Sequence, residues 1–172
     1  MGSVRQRPRR KRQQRIVTSP DAYVLCLRWL TTRARSEADL RRRLKQRGCG
    51  DKDSEQALQR CRELGYIDDP RFATERASQL MRQGRAVGPR LIMELKKEGL
   101  SEALATQAQQ QCHEQHDERA LLAELVDRRY ARLDFSALED RDKRRIVNYL
   151  QRRGFPLAMI LDHLKDKERQ ID

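Results

Sequence analysis

A chain of 172 residues with a formal net charge of +12, 37% hydrophobic and 37% charged residues and a mean hydropathy of -0.95 has room for one ordinary domain or a short array of small ones. Aromatic residues make up only 5%, and Leu, Ala, Arg, Gln and Glu dominate, so the composition forms helices and no strand is read. No window approaches the roughly 18 apolar residues that span a bilayer and no apolar signal segment opens the chain, so a cytoplasmic protein without membrane contact is expected.

Residues 1–15 hold six Arg, one Lys and no acid, and supply +7 of the +12. This tail, bounded at residue 19, lacks apolar periodicity and is expected to be disordered, either as a solubilising extension or as a phosphate-attracting arm. After Pro20, the run Ala22 to Leu27 with Trp29 and Leu30 reads as a helix buried on most sides. Ser36, with Asp39 three residues on, resembles a capping box, and behind it Leu40 and Leu44 lie four apart before Gly48. Asp53 and Gln56 fit the cap of a third helix, whose face carries Ala57, Leu58, Cys61 and Leu64.

The next eight residues contain both a stop and a start. Gly65 stands where a left-handed residue closes the third helix, with Tyr66 and Ile67 able to fold back on its last turn. Pro70 drives Asp69 out of the α region and suits a first helical position, which leaves the Asp69 carboxylate as the expected cap and Phe72 as the first apolar anchor. Adjacent carboxylates beside a proline are structural first; Asp68 also offers an exposed acidic contact.

From here the pattern repeats. Leu40, Leu44, Gly48 return as Leu91, Leu95, Gly99 and as Ile146, Leu150, Gly154, at periods of 51 and 55 residues. In the second unit the flanking helices carry Phe72, Ala73, Ala77, Leu80 and Met81 before, and Leu100, Leu104, Ala108 and Cys112 after. In the third they carry Leu121, Leu122, Leu125, Val126 and Leu133 before, and Leu157, Ile160, Leu161 and Leu164 after. The expected fold is all-α, with three tandem three-helix repeats over residues 20–67, 68–113 and 114–172, about nine helices in an elongated, curved array. One triplet buries too little to stand alone, so neighbours must stack.

Chemistry-bearing motifs are absent: no phosphate-binding glycine loop, nucleophile elbow or H-E-x-x-H is present. Enzymatic activity and a cofactor are not expected. Cys26, Cys49, Cys61 and Cys112 form no C-x-x-C pair and read as reduced thiols. Cys112, His113 and His116 lack a fourth ligand, so no metal is expected, and His163 reads as a single exposed residue.

Positive charge clusters on every middle helix. Arg41, Arg42, Arg43, Lys45 and Arg47 surround the first leucine pair, Arg90, Lys96 and Lys97 the second, and Lys143, Arg144, Arg145, Arg152 and Arg153 the third. Acids at helix starts and cations later satisfy the helix dipole, yet the dipole does not require five cations on one helix. A solvated face and a polyanion-facing one both remain open on these grounds.

The stretch Leu64-Gly65-Tyr66-Ile67-Asp68-Asp69-Pro70-Arg71-Phe72, then Gly88-Pro89-Arg90 and Glu94-Leu95-Lys96-Lys97-Glu98-Gly99-Leu100, resembles the RecX family of bacterial recombinase regulators, over about residues 20–165. The resemblance implies a monomeric helical-repeat protein of the DNA repair and SOS response. It would bind the RecA–DNA nucleoprotein filament and restrain its growth, ATP hydrolysis and strand exchange. The implied contacts are the basic residues above with Tyr66, Asp68 and Arg71, held by Gly65, Asp69, Pro70, Phe72, Leu95 and Gly99, with DNA engaged mostly through phosphates. The alternative is a free-standing nucleic-acid-binding protein using the helices in helix-turn-helix fashion, but its basic helices carry few of the interspersed Asn, Gln and Ser of base readout.

Overall fold

The structure is a computed structural model that describes residues 21–169; the expected tail of residues 1–19 lies outside them. The described residues form nine α-helices and no strand: α1 Ala22–Leu30, α2 Glu37–Gln46, α3 Asp51–Glu63, α4 Asp69–Arg82, α5 Gly88–Lys97, α6 Glu102–Gln115, α7 Glu118–Tyr130, α8 Asp140–Arg152 and α9 Leu157–Arg169. They pack as three triplets in chain order.

The glycine in each repeat closes a middle helix by one device. Gly48, Gly99 and Gly154 have φ of 78°, 94° and 100°, which side chains rarely tolerate, and the residue after each donates back to the carbonyl of the second leucine: Cys49 to Leu44 at 3.1 Å, Leu100 to Leu95 at 3.3 Å, Phe155 to Leu150 at 3.4 Å. That turned-back residue is itself buried, so the repeat is four positions long: two leucine-type residues on the helix, glycine, and a plug. Leu40, Leu44, Leu91, Leu95, Ile146 and Leu150 are all buried, as their spacing predicts.

Several apolar residues depart from expectation. Leu64 is exposed because α3 ends at Glu63 and Leu64 occupies the turn. Leu133 lies beyond the end of α7, and Leu157 and Leu161 point outward while Ile160 and Leu164 fill the core. Helix α1 is less enclosed than its sequence suggests, with Ala22 and Cys26 buried and Val24 exposed. Asp53 does not cap α3, which starts two residues earlier behind Gly50. His163 is half-buried, and burial lowers its pKa.

The triplets are joined in two different ways. Ala22, Cys26, Leu40, Leu44, Cys49, Ala57, Leu58, Cys61 and Ile67 form a core of their own, whereas one continuous core runs from Phe72 through the second and third triplets to Leu164. Between the second and third, Gly154 lies so close that a Cβ there would overlap the Val87 carbonyl, and the Val87 N–H donates to the Arg153 carbonyl at 2.9 Å.

Between the first and second triplets the contacts are polar. The Glu37 N–H donates to the Asp69 carboxylate at 2.9 Å, the Ser36 hydroxyl donates to the Glu98 carbonyl, and Gly99 sits against Ala38. Each triplet thus supplies a helix-end partner to the other. This corrects the expected role of Asp69. The cap of α4 is Asp68, which accepts from the Arg71 N–H at 2.9 Å, while Asp69 occupies the first helical position ahead of Pro70 and reaches across to the N-terminus of α2.

Candidate functional site

The basic middle helices lie on the surface, but most of their cations already hold a carboxylate. In α2, Arg41 pairs with Glu37 and Glu55, each at 2.7 Å, and Arg62 of α3 joins the same two acids at 2.7 and 3.2 Å. In α5, Arg90 and Lys97 share Glu94 at 2.5 and 2.9 Å, and Lys96 reaches Glu102 of α6 at 2.7 Å. In α8, Lys143 pairs with Glu168 of α9 at 2.8 Å and Arg145 with Asp142 at 2.9 Å. Lys45, Arg47, Arg144 and Arg152 make no ion pair among the described residues. The cations are brought onto accessible helix faces as predicted, while the acids that balance them were not anticipated. Glu37–Arg41 and Arg90–Glu94 are i,i+4 pairs and could have been read from spacing; the interhelical pairs could not.

These pairs are exchangeable. Lys96, Lys97 and Arg145 retain 45%, 58% and 64% of their side-chain exposure, and ion pairs of that kind contribute only about 0–1 kcal/mol. Lys97 and Arg90 together hold the Glu94 carboxyl below the usual glutamate range. Such cations can turn from an internal carboxylate to an external anion with little loss.

Asp39 is different. It is buried, and Arg35, Arg42 and Arg43 all point at its carboxylate, from Arg35 at 2.9 Å and Arg43 at 2.8 Å. Burial alone pushes its pKa up, but the hydrogen bonds from Arg43 and Arg35 outweigh this and hold it below the ordinary aspartate value. Arg42 and Arg43, read as surface cations, are therefore partly structural.

At the joint, Tyr66 is exposed and available, Asp68 is engaged as the α4 cap, and Arg71 pairs with Glu75 at 2.8 Å on an open face. Gly65, with φ of 71°, closes α3, and Phe72 and Leu95 are core. The residues named for metal do not converge: His116 meets the Ser78 hydroxyl at 3.0 Å, His113 meets Glu118 at 3.3 Å, and Cys112 is buried with a raised pKa. Cys26 and Cys61 face each other in the first core, and burial pushes the Cys26 thiol up to about 12, so it is inert as a nucleophile.

One charged cluster was missed. Arg129 at the end of α7 lies over the ring of Tyr149 in α8 at 4.3 Å, Arg153 lies over the same ring at 4.9 Å, and Tyr130 meets Tyr149 edge to face. Neither arginine has an ion pair among the described residues. No local spacing signals the contact, because Arg129 and Tyr149 lie on different helices.

Residues 22–61 match the family described as RecX, first three-helix domain. The regulatory protein RecX of Syntrophotalea carbinolica is 40% identical over 147 residues, covering 86% of this chain and 96% of that protein. The regulatory protein RecX of Trichlorobacter lovleyi is 36% identical over 140 residues, covering 81% and 91%. Among solved structures, a crystal structure of RecX from Lactobacillus salivarius superposes with a TM-score of 0.61 over 87% of this chain and 95% of that one, at 19% identity, a likeness of fold.

Proposed function

The chain belongs to the RecX family of regulatory proteins, and from that premise we propose that it binds the RecA–DNA nucleoprotein filament and restrains filament growth, ATP hydrolysis and strand exchange in recombination and DNA repair. The observation that carries this reading is the recurrence of exposed, loosely paired cations on the middle helix of all three triplets. A filament presents a repeating array of phosphates and acidic side chains, and a tandem array of basic helices can meet it at several places at once. Each contact exchanges an internal ion pair for an external one, so single contacts are weak and affinity comes from their number.

On this reading the protein acts by binding alone. Restraint of ATP hydrolysis then follows from altered growth or packing of the filament. The test is the single-stranded-DNA-dependent ATPase of RecA with this protein added well below the RecA concentration. A fall in hydrolysis out of proportion to the amount added supports the reading; hydrolysis unchanged up to stoichiometric amounts overturns it. The second reading, a free-standing nucleic-acid-binding protein, predicts DNA binding with no effect on RecA beyond competition for DNA, which excess single strand would relieve.

A further inference from the structure

We propose that the seam where α7 and α8 meet the α4–α5 connection is a binding surface for the phosphodiester backbone of nucleic acid, formed by Arg129 and Arg153 over Tyr149 and by Arg128, which reaches the same connection. Arg153 is shared with the filament reading; Arg128 and Arg129 are not, and the proposal requires no partner protein. Its basis is the contrast between two populations of cations. Those of α2 and α5 near the leucine pairs mostly face carboxylates, whereas these three make no ion pair among the described residues. Asp127, beside Arg128 in sequence, is drawn to Lys167 of α9 at 2.7 Å, and Glu124, one turn before Arg128, makes no pair.

The guanidiniums are held in place by aromatic and backbone contacts instead. Arg129 and Arg153 lie over the Tyr149 ring at 4.3 and 4.9 Å, Arg129 also approaches the Tyr130 ring at 5.8 Å, and the two rings meet at 89°. Arg128 donates to the Gln83 carbonyl at 3.2 Å and Arg153 to the Arg85 carbonyl at 3.4 Å, which ties both to the α4–α5 connection. The guanidinium carbons of Arg129 and Arg153 share one ring, at 4.3 and 4.9 Å from its centre, so one stretch of phosphodiester backbone can reach both.

Such an arrangement leaves like charges concentrated without internal compensation and restrains both side chains in advance. A guanidinium held over a ring still has N–H groups to offer a phosphate and loses little freedom on binding. Arg129 is exposed, so its guanidinium can also meet a base, which favours nucleic acid over an acidic peptide.

The test is fluorescence anisotropy of labelled single-stranded and duplex oligonucleotides of equal length with the full-length protein alone, across a salt series. The Arg128→Gln/Arg129→Gln variant removes two exposed charges; circular dichroism checks its fold, and Arg129→Lys, which keeps the charge, replaces it should helicity fall. The double variant should lower the slope of log affinity against log salt by about 1.4 on single strands or about 1.8 on duplex, and whichever falls names the form bound. Arg129→Lys should keep the slope and bind severalfold more weakly. Lys52→Gln/Arg62→Gln, on α3 and outside both readings, removes two exposed charges and should leave the slope within about 0.5. The proposal is overturned by a double variant, or Arg129→Lys where that replaces it, that binds both oligonucleotides as wild type does. It is equally overturned by an equal slope loss in the Lys52/Arg62 variant, or by a double variant that loses binding to poly-glutamate with DNA binding intact. With no recombinase in the assay, its failure leaves the filament reading untouched.

Discussion

Replacing Asp39 by Asn should destabilise the first triplet by stranding a buried charge. Asp39 is 7% exposed and faces three guanidiniums whose own side chains differ: Arg42 and Arg43 retain 58% and 33% of their exposure and can turn to water, whereas Arg35 retains 9% and cannot. The Nε of Arg35 already lacks a partner, so loss of the carboxylate strands a buried charge. Breaking a buried pair in this way costs about 3–5 kcal/mol, and because only one of the three arginines is stranded the expected value is about 3 kcal/mol. The sole tryptophan, Trp29, lies in the same triplet with Arg43 6.0 Å from its ring centre, so its fluorescence in urea reports this unit directly. The sign with pH follows from the lowered pKa. The contribution is fully present above the ordinary aspartate value of 3.8 and is lost only as pH falls through the lower folded value, so wild type and variant should converge in stability in strong acid. An Asp39→Asn variant whose midpoint shift corresponds to less than about 0.5 kcal/mol at neutral pH, or a gap between the two proteins that persists in strong acid, refutes the reasoning.

Asp69→Ala should cost about 1 kcal/mol and speed amide exchange at Glu37 in α2, while Asp68→Ala should do so at Arg71 in α4; exchange resolved by residue checks both, and the opposite pattern would restore Asp69 as the cap of its own helix. Leu95→Ala should cost about 2–5 kcal/mol, seen as a lower denaturant midpoint, because its side chain is fully buried in the core shared by the second and third triplets. Gly154→Ala should cost as much or more, since φ is 100° and the added methyl would collide with Val87 and Arg90, and its thermal unfolding should begin at markedly lower temperature. Arg90, Lys96 and Lys97 changed together to Glu should preserve helicity, weaken the α5–α6 contact through repulsion from Glu94 and Glu102, and lower RecA inhibition more than tenfold at physiological salt; unaltered inhibition would make that face only a solvated one.

The helical plan was legible because each repeat writes its geometry locally. Two apolar residues four apart define a buried stripe, and a glycine four further on ends the helix with one hydrogen-bonding pattern, so Leu91, Leu95 and Gly99 announce what Leu100 then completes. What spacing could not show is which of two adjacent candidates does a job. Asp68 and Asp69 are equally able to cap α4, and the choice is made by Glu37, more than thirty positions earlier, whose N–H needs a partner across the joint. Leu157 and Leu161 likewise fit an apolar stripe with Ile160 and Leu164, but the third triplet buries one side of α9 only. Nor does the sequence reveal that Val87 and Gly154 meet, which is what merges two expected cores into one.

The candidate surface was legible in position and not in electrostatic state. Counting cations located the basic helices, but affinity for a polyanion depends on how much each cation must give up to bind it, and that is set by acids brought in from elsewhere: Glu168 to Lys143, Glu102 to Lys96, Glu55 to Arg41 and Arg62. Salt weakens those internal pairs and any external contacts alike, so the paired helices should show a shallow salt dependence. The unpaired arginines at the α7–α8 seam have no internal pair to weaken, and each phosphate they neutralise releases its condensed counterions in full. Two helices with the same count of positive residues can thus differ severalfold in what they contribute to binding. The expected difference lies in the carboxylates, which face the arginines of α2 and not those of α7.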